Sequence, residues 1–250
     1  ASKGLDVPSY RIQITVGASG ALLLAFAATT DPGNRVLMAD PAYPCNPRFV
    51  EAVGGDTHWI KTDVATRFQP TLSQLEEQAT DTDRTLILAH PGNPTGQAVP
   101  HAELKQMSEW CQRTNRHLIV DEIYQNLSFT DSLISSLAIC EHHFVVGSFS
   151  KYFNMTGWRL GWLVIPEYAV QETQRLAQHL FICAPSIAQE AALSCFEHDA
   201  LQDAEMHRLE LKKRRDLLIP RLKSMGFKIA AVPDGAFYIF VDVADIATDG

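Results

Sequence analysis

The chain has 250 residues, of which 46% are hydrophobic and 20% charged, so it can bury a large core and does not read as disordered. Its net charge of -8 gives no basic footprint for nucleic acid and no polybasic patch for a membrane, which leaves a small molecule as the expected partner. The longest apolar run, Ala21 to Ala28, falls far short of the ~20 residues that span a bilayer, and no charged-apolar-small leader opens the sequence, so the expected location is the cytoplasm.

Apolar runs, turns and amphipathic segments follow one another in the pattern of α/β architecture. In chain order the sequence predicts a helix over Gly20–Thr29, strands over Arg35–Ala39 and Thr57–Lys61, and a helix over Thr71–Ala79. Thr71 and Ser73 offer hydroxyls to cap that helix ahead of Leu72, Leu75 and Glu76. Next come a strand over Thr85–Ala89, a helix over Pro100–Thr114, and strands over His117–Val120, Phe144–Gly147 and Leu160–Ile165. A helix over Glu167–Phe181 and a long helical region over Ala184–Leu222 follow. The Val/Ile/Leu-rich strands show no alternation, as expected of strands covered on both faces. Arg208, Lys212, Lys213, Arg214 and Arg215 crowd on the last helical region and read as a solvated face.

Cys45, Cys111, Cys140, Cys183 and Cys195 are odd in number and contain no C-x-x-C pair, which argues against a disulfide framework and a zinc site. His142 and His143 are adjacent and the other histidines are scattered, so no metal site is expected.

In open α/β sheets ligands collect at the carboxyl ends of strands, and the unusual residues of this chain collect there too. Gly17-Ala18-Ser19-Gly20 opens a helical pattern, where free N–H groups and the helix dipole suit a phosphate, although a plain helix start is the better reading of the residues by themselves. Asp40-Pro41-Ala42-Tyr43-Pro44 is a stiff loop bearing a ring that can stack on a planar heterocycle. His90-Pro91-Gly92-Asn93-Pro94-Thr95-Gly96 is a turn that presents one amide. Asp121-Glu122-Ile123-Tyr124 closes a strand, and an acid at a buried strand end is expensive unless paired. Finally, Ser148-Phe149-Ser150-Lys151 leads through Gly157-Trp158-Arg159 to Gly161, placing two cations between core strands. Desolvation favours the neutral form of an amine, which is how a lysine becomes a nucleophile toward an aldehyde. A solvated turn is the plainer reading of such a lysine, but the neighbouring hydroxyls, glycines and arginine suit a phosphate-bearing aldehyde better.

That last stretch resembles the cofactor-lysine signature of class I/II aminotransferases, fold-type-I pyridoxal-phosphate enzymes, written S-x-S-K-x-x-x-x-x-G-W-R-x-G. The elements at Gly17, Tyr43, Asn93 and Asp121 match the family in order and spacing. The resemblance implies a mostly parallel central sheet with helices on both faces, in a large cofactor-binding domain over 1–218. It also implies the beginning of a small α/β domain over 219–250, with Pro233 to Tyr238 resembling its opening strand. It makes Lys151 the Schiff-base lysine that moves a proton, Asp121 the partner of the pyridine nitrogen, and Tyr124 a donor to the ring oxygen. Asn93 also reaches that oxygen, Tyr43 stacks on the ring, and Ala18, Ser19, Ser148 and Arg159 hold the phosphate.

The implied function is transfer of an amino group between an amino acid and a 2-oxoacid by a ping-pong aldimine mechanism, with pyridoxal 5'-phosphate as cofactor and a homodimer as the assembly. A same-fold C–S β-lyase and a non-catalytic, aminotransferase-like ligand-sensing domain remain open alternatives. The chain departs from the family at both ends, as a partial chain would: the initial arm is missing, and no arginine follows Arg221 to take the family's substrate-carboxylate role.

Overall fold

The computed structural model describes residues 5–130 and 133–245. Its main sheet has seven strands in the order β1-β7-β6-β5-β4-β2-β3, with β1 Ile12–Thr15, β2 Arg35–Asp40, β3 Asp56–Lys61, β4 Asp83–Ala89, β5 His117–Asp121, β6 Phe144–Ser148 and β7 Gly161–Val164. The five strands β2 to β6 are mutually parallel, while β7 runs antiparallel to β6 and β1 antiparallel to β7. All six strands expected from the apolar runs are present. β1 went unread because its Ile-Gln-Ile-Thr sequence holds no continuous apolar run.

Helices cover both faces, and the period of two hidden in the apolar runs decides which residue meets which layer. Val36, Met38, Ile87, Ile119, Phe144 and Val146 point to the side that holds α1 Gly17–Thr29, α2 Asn46–Ala52 and α5 Val170–Phe181. Leu37, Leu86, Leu88, Leu118 and Val120 point to the other, under α3 Leu72–Gln78 and α4 His101–Arg113. On α4 the buried Leu104, Met107, Ser108, Trp110 and Cys111 recur at helical spacing and form one stripe. By contrast α1 buries residues around most of its circumference, including Leu22, Leu24 and Phe26, because it lies between the sheet and α5. Thr71 caps α3 as expected: its hydroxyl accepts from the Gln74 N–H, and Gln74 returns a bond to the Thr71 N–H.

The long helical region divides into α6 Ser186–Leu193, a 3-10 turn Ser194–Phe196, and α7 His198–Ser224, which carries Pro220 inside it. Its basic cluster departs from the expected solvated face. Arg208 donates to the Ser128 carbonyl at 2.6 Å and pairs with Glu205, and Arg215 donates to the Pro233 carbonyl at 2.8 Å while its guanidinium lies over the Phe129 ring. These two arginines fasten α7 to the loop after β5 and to the segment at Pro233. Arg214 and Lys212 remain in exposed pairs with Glu210 and Asp216.

After α7 a short pair, β8 Lys228–Ile229 and β9 Val241–Asp242, stands apart from the main sheet. The expected strand over Pro233–Tyr238 is instead a turn. Ala236 sits at φ 63° with its side chain fully buried, and Gly235 makes only an isolated bridge to Ser128. Residues 246–250, included in the expected small domain, and residues 1–4 lie outside the described residues. No helix among the described residues is long and apolar enough to cross a membrane.

Candidate active site

The parallel strands β2, β4 and β5 and their neighbour β6 end at one cavity. It is lined by Ala18, Ser19, Tyr43, Asn93, Asp121, Tyr124, Ser148, Lys151 and Arg159, together with Ser150, Thr156 and Tyr238. Every site residue singled out in the sequence therefore reaches the same cavity.

Each arrives on a braced loop. After β4, the His90 N–H donates to the Asp121 carbonyl, and the His90 imidazole accepts from the Val99 N–H at 3.1 Å. Burial lowers the pKa of His90 to about 4, so the ring stays a neutral acceptor. Gln69 closes the same loop from below by donating to the Ala89 and Gln97 carbonyls. Asn93 is thus held at the rim of the cavity.

Asp121 ends β5 and is 5% exposed. Burial pushes its carboxyl up to about 7, opposed by the Ile123 N–H, which donates to Oδ1 at 3.1 Å. Among the described residues no cation lies within ion-pair distance of it. Tyr124, three residues on, is also buried, and its hydroxyl lies 2.6 Å from that of Tyr238. Burial and then the Tyr238 hydroxyl raise its pKa above the ordinary tyrosine value. The thiol of Cys45, followed by burial, holds the Tyr43 pKa up to about 12.

After β6 the chain turns through Lys151 and a 3-10 turn, Thr156–Trp158. Ser148 Oγ accepts from the Ser150 N–H, which leaves its own hydrogen to donate. Thr156 donates to the Ser150 carbonyl, and Arg159 Nη1 donates to the Thr156 carbonyl at 2.9 Å. Lys151 is half-buried, within the expectation of a buried or half-buried amine, whereas Arg159 is exposed at the rim, because the turn lifts the guanidinium out of the core. Lys151 Nζ lies 5.6 Å from the Phe237 ring centroid and 5.8 Å from that of Tyr124.

Arg159 and Gly17 bring the phosphate-suited groups together. The first turn of α1 has no side-chain cap, and Gly17, at φ 67°, allows the guanidinium to lie against its backbone. Gly161 serves the same packing: a β-carbon there would stand 2.8 Å from the Gly147 carbonyl oxygen and 2.9 Å from the Ala18 nitrogen.

Pyridoxal phosphate fits this donor set. Helix-start N–H groups, two serine hydroxyls and a guanidinium gather for an anion, an amine stands beside them, and a buried carboxyl without a cation among the described residues faces the cavity to receive a ring N–H. Sequence reasoning read the Ser150 hydroxyl as suited to a phosphate but missed Thr156 and Tyr238. Tyr238 stands 114 residues from Tyr124, and no local pattern marks that meeting.

Comparisons with known proteins agree with the architecture. The family model described as aminotransferase class I and II matches residues 2–248. The valine–pyruvate aminotransferase of Mycobacterium tuberculosis is 39% identical over 248 residues, covering 98% of this chain and 64% of its own length. The aspartate aminotransferase of Sulfolobus acidocaldarius is 33% identical over 246 residues, covering 96% of this chain and 61% of its own length. A crystal structure of an aminotransferase from M. tuberculosis superposes with a TM-score of 0.93 at 37% identity, covering 98% of this chain and 64% of that one. The Thermus thermophilus aspartate aminotransferase with maleate superposes at 0.91 with 30% identity, covering 98% and 65%. The chain spans a little under two thirds of the length of these relatives.

Proposed function

The chain belongs to the class I and II aminotransferases, and from that membership we propose that it binds pyridoxal 5'-phosphate and transfers an amino group between an amino acid and a 2-oxoacid by ping-pong exchange. One observation carries the proposal: Lys151, Asp121, Tyr124, Asn93 and Arg159 line a single cavity at the carboxyl ends of the parallel strands.

When bound, the cofactor supplies an electron sink for the pair left at the substrate Cα. The residues divide the remaining work. Arg159, Ser148 and the first turn of α1 at Ala18 and Ser19 would hold the phosphate. Asp121 would accept the ring N–H, and ring nitrogen and carboxyl together would replace a solvated charge that burial makes costly. Tyr124 and Asn93 would donate to the ring oxygen, and Tyr43 would cover one ring face. Lys151 Nζ would bind the aldehyde carbon covalently; once displaced by the substrate amine, it would take the Cα proton and return it to the cofactor carbon.

The same reading divides the chain into a large domain, 1–218, and the beginning of a small one, 219–250, with α7 running across the border. It also makes the protein a homodimer, supported by the exposed apolar side chains Ile182, Ile187 and Leu193 beside α6. The five free thiols support a cytoplasmic location.

The test begins with the visible spectrum of the chain and of Lys151→Ala after addition of pyridoxal phosphate, followed by borohydride reduction and peptide mapping. A label on Lys151, with exchange between an amino acid and a 2-oxoacid, supports the proposal. A folded chain that takes no label overturns the cofactor reading. Release of pyruvate and ammonia without exchange overturns transamination in favour of β-elimination.

A further inference from the structure

The hydroxyls of Tyr124 and Tyr238 lie 2.6 Å apart, at the short end for O–H···O bonds, and no other hydrogen bond to Tyr124 Oη is made among the described residues. Two hydroxyls in contact share one hydrogen, so only one arrangement leaves the hydrogen of Tyr124 free for a ligand. We propose that Tyr238 is a positioning residue of this site: its hydroxyl donates to Tyr124 and thereby aims the Tyr124 hydrogen into the cavity, at the ring oxygen of the bound cofactor. The inference rests on the cofactor reading above.

Electrostatics choose the direction. With an anionic oxygen beside Tyr124, the order Tyr238 to Tyr124 to anion points both O–H dipoles at the negative charge, and each bond strengthens the next. The reverse order would turn a lone pair of Tyr124 toward the anion. Exposure agrees, because Tyr124 is 3% exposed and has no other donor, whereas Tyr238 is only half-buried and can draw a replacement bond from water.

The chain invests in this meeting. The Asp234 and Gly235 N–H groups donate to the Gly96 carbonyl, and the Ala236 N–H donates to the Leu127 carbonyl. The Asp234 carboxylate accepts from the Ala98 N–H at 2.8 Å and pairs with Arg67. These bonds reach the loops that carry Asn93 and Tyr124, so the turn at 233–238 delivers Tyr238 in fixed register to both. Phe237 packs edge-on against the Tyr124 ring at 5.3 Å and steadies the pair. The other titratable groups around Tyr124 are Asp121 from β5, Tyr43 from the loop after β2, and Lys151 from the loop after β6.

The experiment is a pH titration of the visible absorption of the protein reconstituted with pyridoxal phosphate, in the wild type, Tyr238→Phe, Tyr124→Phe and the double variant. Phenylalanine keeps the ring contacts, and circular dichroism checks the fold. A hydrogen bond to an anionic ring oxygen favours the unprotonated chromophore, so losing it raises the midpoint. Tyr124→Phe is expected to raise it most. Tyr238→Phe is expected to raise it in the same sense by roughly half a unit, about a threefold change in proton affinity. In the Tyr124→Phe background, Tyr238→Phe should change nothing further.

An unshifted midpoint in Tyr238→Phe beside a shifted one in Tyr124→Phe overturns the inference and leaves the cofactor reading intact. A shift from Tyr238→Phe that persists in the Tyr124→Phe background overturns it as well, since Tyr238 would then act by another route. If no chromophore forms in the wild type, the cofactor reading fails and takes this inference with it.

Discussion

The guanidinium of Arg159 lies directly against the backbone of Gly17: a β-carbon at 17 would stand 2.7 Å from Nη2 and 3.2 Å from Cζ. A side chain there would displace the arginine, and it would also strain a residue at φ 67°. Gly17→Ala is therefore expected to weaken pyridoxal-phosphate binding about tenfold, roughly the loss of one charge-assisted hydrogen bond, while lowering stability by about 1 kcal/mol. Calorimetric titration checks this, and unchanged affinity would remove Arg159 from the anion site.

Asp121 is held protonated well above its unfolded range. The folded pKa of about 7 exceeds the unfolded value near 4, so the folded chain binds the extra proton between those limits and loses stability as pH rises through them. The cost above pH 7 is at most about 4 kcal/mol. Without cofactor, Asp121→Asn is expected to melt higher than the wild type at pH 8 and at nearly the same temperature at pH 4. An Asn variant that melts lower at pH 8 would refute the buried, unpaired carboxyl.

His90 and His143 act in the opposite sense. Burial lowers their pKa values to about 4 and about 3, below the unfolded value of 6.5. The unfolded chain therefore takes up protons first, and stability falls as pH drops from 6.5 toward those values. For His90 alone the loss reaches about 3 kcal/mol by pH 4. His90→Asn keeps an acceptor for the Val99 N–H and should flatten the pH slope of urea-unfolding free energy. Measuring it in the Asp121→Asn background removes the opposing carboxyl; an unchanged slope there would exclude His90 as a source.

Asp234 joins the turn that carries Tyr238 to the loop after β4. Asp234→Ala leaves the buried Ala98 N–H without its acceptor and Arg67 without its partner. The expected loss is about 2 kcal/mol, read from urea denaturation. A neutral result would show that the turn is held by its backbone bonds alone.

Much of this molecule was legible from its residues because the signals were local. Apolar runs of three or four residues, such as Leu86–Ala89 and Phe144–Val146, marked the parallel strands β2, β4, β5 and β6, since a strand covered on both faces needs little else. The Gly, Pro and Asn punctuation of the connecting loops marked where polar side chains stand at strand ends. Thr71 announced its own helix, and the motif around Lys151 carried the family resemblance in a single stretch.

What lay beyond reach depends on distance along the chain. Arg208 and Arg215 look like part of a solvated face until α7 packs against Ser128 and Pro233, whose carbonyls receive them. The turn at Ala236 replaces the expected strand because bonds to Gly96 and Leu127 outweigh the β preference of Phe237 and Tyr238. The sequence by itself determined the layers of the fold and the types of group at the site. Only the tertiary structure decided that Tyr238 meets Tyr124 and that Arg159 rests on Gly17, because such contacts arise when the sheet and its loops bring distant residues to one cavity.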